Sequence, residues 1–170
     1  GKRVLREGDI VSVDVGAFIG GFHGACAATF PCRKVSPEAL RLIQVTRESF
    51  FRGLAEARQG RRVPDISAAV QQYVEGQGFS VGREYGGHGI GREMHEAPEG
   101  PNYVESRQSR PRLLKGMTIA VEPMVNGGGP GVVLQPDGWT VTTADGSLSA
   151  HYENTILITD GEPELLTDPI

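Results

Sequence analysis

An α+β domain is the fold class this sequence predicts, on three observations. Two segments with helical apolar spacing lie together between residues 36 and 78, strand-like alternation flanks them on both sides, and glycine-rich turns separate the strands. The order is strands, then helices, then strands, which fits antiparallel pairing better than alternating βαβ units.

The first strands come early. From Ile10 to Val15 apolar and polar residues alternate, the period of a half-buried strand, with Asp14 inside it. The pattern returns over Phe22–Phe30 after the glycines at 20 and 21, which reads as a hairpin. With Ile19-Gly20 as the turn, position 14 faces position 25 across the pair, on one side of the sheet.

Ser36-Pro37-Glu38 sets a capping residue, a first-turn proline and a first-turn acid in order, and so starts a helix. Leu40, Ile43, Phe50 and Leu54 give it an apolar stripe, and Gly60 a stop. A second helix follows Pro64-Asp65, with Ile66, Ala69, Val70, Tyr73 and Val74 on one face and Gly76 and Gly78 at its end. Both stripes are expected to pack on the core. Beyond them strands are expected over 79–85, 117–125, 138–143 and 151–159, a surface loop over 98–111, and a turn over 126–130.

Length and composition limit the function classes. A chain of 170 residues is one domain, 1–170, able to bury about 70% of the surface its unfolded form exposes. Seventeen basic and 21 acidic residues leave a net charge of −4 without a basic stripe, so nucleic acid is not an expected partner. No apolar run spans a membrane, and Cys26 and Cys32 are too few for a disulfide framework, so a reduced, cytoplasmic setting is expected. A monomer is the working expectation for the oligomeric state.

The chemistry concentrates in residues 84–98, where His88 and His95 lie seven apart among glycines at 86, 87, 89 and 91. Those glycines are expected to let backbone and ligand approach the imidazole, although a flexible loop with ordinary histidines has the same composition. Asp14, Glu122 and Glu153 add carboxylates from separate segments. Glu122 and Glu153 interrupt apolar strands, so each faces water at a strand end or needs a cation, a hydrogen-bond network or a metal.

From about Leu5 to Thr167 the sequence resembles the type I methionine aminopeptidases. The resemblance rests on DIVSVDV (9–15), GFHG (21–24), GHGIGREMHEAP (87–98), VEPMV (121–125), DGWTVTT (137–143) and SLSAHYENT (147–155). It implies the pita-bread fold, a curved antiparallel sheet backed by helices, and removal of N-terminal methionine from nascent polypeptides. It implies divalent ions, cobalt, manganese, iron or zinc, two of them in the family. Asp14 corresponds to a ligand of one ion, His88 and Glu122 to ligands of the other, and Glu153 to a bridging carboxylate. His95 matches a histidine that contacts substrate and, with Glu122, carries the catalytic roles. Phe22, Trp139 and Met94 are candidates for the substrate pocket, with a core position as the alternative for Trp139.

Two departures qualify what the resemblance implies. The family's second, bridging aspartate falls at position 25, and this chain has Ala25, which offers no donor atom. Cys26, the next residue on the strand, should point to the opposite face unless a bulge re-aims it. Two ions, one or none therefore remain open, with weaker affinity expected for both. The family also has an N-terminal portion with a further histidine, for which this chain, opening at Gly1, has no counterpart. Asn154 stands where many members have a second histidine, and Met94 where relatives are often aromatic. The alternative function is a noncatalytic pita-bread domain that binds a peptide N-terminus, a partner or a single ion.

Overall fold

A computed structural model describes residues 3–107 and 109–167. The chain opens with an antiparallel hairpin of β1 (Ile10–Ile19) and β2 (Phe22–Pro31), followed by helices α1 (Pro37–Glu56) and α2 (Val63–Gly76). Short strands then follow: β3 (Ser80–Val81), β4 (Gly86–Gly89), β5 (Glu96–Pro101), β6 (Thr118–Val121), β7 (Met124–Asn126), β8 (Val132–Leu134), β9 (Val141–Thr143), β10 (Ser149–His151), β11 (Glu153–Leu157) and β12 (Glu164–Leu165). The main sheet runs β1-β2-β11-β6-β4-β5, with β12 added beside β11, and every pairing in it is antiparallel. A second sheet runs β10-β7-β3, and β8 and β9 form a ribbon. This is the α+β architecture expected, an antiparallel sheet backed by two helices.

The core lies between helices and sheet. Leu42, Phe50, Val70 and Val74 from the helices meet Ile119, Val125 and Ile156 from the strands and Ile158 just past β11. Ser36 caps α1, its hydroxyl accepting from Ala39 N at 3.1 Å. The buried face of α1 differs from the stripe expected: it runs through Ala39, Leu42, Val45, Thr46, Ser49, Phe50 and Gly53, while Leu40 is exposed. Small and hydroxylic residues can occupy it because Thr46 and Ser49 donate to the helix's own carbonyls of Leu42 and Thr46, both at 2.7 Å. At Gly53 the two helices approach closely: a Cβ there would lie 2.9 Å from Val70 Cγ2.

Three further expectations change. The hairpin turn is Gly20-Gly21, both with positive φ, so Asp14 pairs with Ala27 and position 25 with Gly16. From Ser12 onward β1 is exposed on both faces rather than half-buried, because it is the sheet's edge strand and the helices cover strands further in. The stretch 84–98 is a β4–β5 hairpin with an irregularity after His88, and β5 takes residues 98–101 out of the expected loop. The rest of that loop includes position 108, outside the described residues.

Candidate metal centre

The sheet register assembles the site. Asp14 on β1 is opposite Ala27 on β2, and Ala27 is opposite Glu153 on β11, so the three side chains share one row and one face. Ala27 contributes only a methyl, which leaves room above it for the two carboxylates to converge. His88 on β4 is paired with Ala120 on β6, and Glu122 follows two residues later in the link from β6 to β7. Among the described residues two groups of candidate ligand atoms result, each within 4.8 Å: Asp14, His151 and Glu153, and His88, Glu122 and Glu153. Glu153 belongs to both.

The glycines around His88 serve the sheet rather than a ligand. A Cβ at Gly87 would meet Ala120 O at 2.3 Å, and one at Gly89 would meet Ala97 O at 2.2 Å, so the flanking strands close in on both sides. The imidazole is thereby held in place. His88 Nδ1 lies 2.9 Å from Gly89 O, which fixes the proton on that nitrogen and leaves the Nε2 lone pair facing Glu122 Oε1 at 3.4 Å.

The electrostatics call for a cation. Burial, then Glu153, then Asp14 push the Glu122 carboxyl up to about 8. Partial desolvation against the sheet, then Glu153, raises the carboxyl of Asp14 as well, although its side chain is largely exposed, against the opposing influence of His151 and His88. Among the described residues no lysine or arginine comes within ion-pairing distance of Asp14, Glu122 or Glu153. Three crowded carboxylates with two imidazoles, mostly hard donors with some nitrogen, fit divalent metal ions.

The remaining candidates divide. His95 is exposed, with its ring centroid 4.3 Å from that of His88, on the wall of a broad cleft that also reaches Glu122. Met94 packs on Ala25, Ile90 and Ala120, its Cε 2.6 Å from where a Cβ on Gly16 would sit. Phe22 is exposed under Arg92, beside the same 91–95 bend. Trp139 is 88% exposed near the tip of the β8–β9 ribbon, so it is neither in the core nor beside the ligand strands.

Ala25 is 6% exposed and shares its face of β2 with Ala27, toward the ligands. Its backbone is pinned: Ala25 N donates to Thr155 Oγ1 at 2.9 Å, and Ala25 O accepts from Thr155 Oγ1 and Thr167 Oγ1, both at 3.0 Å. The β1–β2 register runs without a shift, so Cys26 faces away from Asp14. His151 escaped the sequence reading; the signal for it was its place two residues before Glu153, on the same side of an extended chain.

The profile of metallopeptidase family M24 matches residues 1–160. The chain belongs to this family. Among curated relatives of this M24 domain, the methionine aminopeptidase of Clostridium acetobutylicum is 55% identical over 165 residues, 97% of this chain and 66% of its own length. Methionine aminopeptidase 1 of Bacillus subtilis is 48% identical over 167 residues, 98% of this chain and 67% of its own. The crystal structure of the Thermotoga maritima methionine aminopeptidase matches with a TM-score of 0.94 at 46% identity, covering 98% of this chain and 67% of that one. The prolidase of Pyrococcus furiosus shares the fold, at a TM-score of 0.80 and 20% identity over 44% of its length. The M24 chain thus has the pita-bread fold and is methionine-aminopeptidase-like throughout, spanning about two thirds of the length of the methionine aminopeptidases it matches. No helix among the described residues is long and apolar enough to cross a membrane.

Proposed function

We propose that this M24 domain acts as a methionyl aminopeptidase, hydrolysing the first peptide bond of polypeptides that begin with methionine, nascent chains in the cytoplasm among them. Glu153 carries the reading: one buried carboxylate is common to two ligand groups and can serve two neighbouring ions. The relatives named methionine aminopeptidase support it.

In this reading Asp14 would hold one divalent ion, His88 and Glu122 would hold the other, and Glu153 would serve both. When bound, such a pair lowers the pKa of a shared water, polarises the scissile carbonyl and anchors the substrate amine. Glu122 is the proton carrier, taking a proton on its carboxylate from the attacking water and returning it to the leaving nitrogen. His95, its ring tilted against that of His88 at the cleft wall, donates a hydrogen bond to the substrate near the scissile peptide. Met94 and Phe22, on and beside the 91–95 bend, offer apolar contact for the methionine side chain.

Ala25 favours a second reading, a domain that binds a peptide N-terminus without cleaving it. The two part in one assay: the metal-loaded chain is incubated with a Met-Ala-Ser peptide and free methionine is measured. Release at a rate proportional to protein and abolished by Glu122→Gln supports the peptidase. Peptide binding with no release supports the noncatalytic domain.

A further inference from the structure

We propose that His151 is a metal ligand, supplying an imidazole nitrogen to the ion held by Asp14 and Glu153 and offsetting the donor that Ala25 withholds. The proposal rests on the reading of a two-ion centre and extends it to a residue with no assigned role.

The distances carry it. His151 Nε2 lies 3.7 Å from Glu153 Oε2 and 3.9 Å from Asp14 Oδ2. Both separations exceed a hydrogen bond. Both match the edge between two donors that each sit about 2.0–2.2 Å from a common ion, which spans roughly 3–4 Å over the usual coordination angles. His88 Nε2 and Glu122 Oε1, at 3.4 Å, have the same relation across the second group. The two halves of the centre therefore share one plan, an imidazole and a carboxylate around Glu153.

Burial argues the same way. Both ring nitrogens of His151 are buried and lack a hydrogen-bond partner among the described residues. A buried imidazole with nothing to bond is costly, and a cation beside Nε2 satisfies the lone pair there while placing the proton on Nδ1. The backbone that carries the ring is also held. His151 N donates to Thr29 Oγ1 and Thr29 Oγ1 donates to His151 O, each at 2.8 Å, and Ser12 Oγ lies 2.8 Å from the same hydroxyl. A backbone clamped at both polar groups has little freedom of its own to lose on binding.

The nitrogen does not occupy the place a carboxylate at position 25 would have taken. Along the chain, His151 and Thr155 lie on either side of Glu153, and Ala25 is bonded to Thr155 while Thr29 is bonded to His151. The donor thus enters from the opposite flank, and the space near Ala25 is closed by Met94, Ile90 and Ala120. With both imidazoles neutral, the ligands carry three negative charges where an aspartate at 25 would make four. Nitrogen in place of oxygen shifts preference toward cobalt and zinc and away from manganese.

The test reads metal binding rather than turnover. The full chain, stripped with chelator and loaded with Co(II), is measured by calorimetry and by X-ray absorption, whose outer-shell scattering counts imidazoles. Two imidazoles per chain are expected in the unaltered protein. In His151→Gln one should remain, with the Kd of one ion raised at least tenfold and that of the other changed less than twofold. One imidazole in the unaltered protein, or identical affinities in His151→Gln, overturns the proposal. The count needs no variant, so a poorly folding His151→Gln does not decide it. Two imidazoles without methionine release would support the ligand and count against the peptidase; one imidazole with full release would do the reverse.

Discussion

At position 25 a methyl group stands where its face of the sheet meets the ligand cluster, and the consequence can be stated for both metal-free and loaded protein. In Ala25→Asp the new carboxylate enters a site 6% exposed, against Met94, Ile90 and Ala120 and near three existing carboxylates. Without metal the variant should be less stable by about 1–3 kcal/mol, the cost of a buried polar group left unpaired. With excess Co(II) the added donor finds a cation, and the deficit should vanish or reverse. Thermal melts with and without the ion check this; an equal loss in both would mean that position 25 does not reach the centre. The clustering of the candidate ligands Asp14, His88, Glu122 and Glu153 was legible because each stands in a short motif. His151 was not, because its partners Asp14 and Thr29 come from the first hairpin, and only the register brings them alongside.

At the scale of elements, helix starts were legible and helix faces less so. Ser36-Pro37-Glu38 marks the first turn of α1 by local chemistry alone, and the cap is found as expected. Its buried face depends on what α2 presents, and polar-looking Thr46 and Ser49 enter the core by bonding inward to their own helix. The hairpin register slipped by two because glycines at 20 and 21 can both take positive φ, moving the turn one residue along. Strands of two or three residues, such as β3, β8 and β12, are too short to show a period. Gly53 is an element-scale position whose role appears only in the packing. Gly53→Leu should destabilise the protein by about 1–3 kcal/mol through overpacking against Val70 and Ile66, despite leucine's better helix propensity. Denaturant unfolding measures it, and an unchanged midpoint would mean that the helices can separate at no cost.

For the whole molecule, the centre ties the early hairpin to the late strands, so its charge state bears on global stability. Glu122 is held at about 8 against an ordinary 4.5 by burial, then Glu153 and Asp14, so between those values the folded, metal-free protein binds more protons than the unfolded chain. Stability attributable to this group therefore falls as pH rises from 4.5 to 8: the unfavourable charge is absent below 4.5 and fully expressed above 8. The depressed carboxyl of Asp145, held at about 2 by Ser147 and Gly129, acts oppositely but only in acid, where its contribution is lost as pH drops from 3.8 toward 2. The two windows do not overlap. Chelator-treated protein should then lose melting temperature from pH 5 to pH 8, and Glu122→Gln should flatten that decline and be more stable than the parent at pH 8, by about 1–3 kcal/mol. Adding a divalent ion to the parent at pH 7 should release protons, detectable by calorimetry in buffers of different ionisation enthalpy, and should raise stability by about 2.7 kcal/mol at a hundredfold excess over Kd. A metal-free protein equally stable at pH 5 and pH 8 in both forms would show that the carboxylates are not crowded as the distances imply.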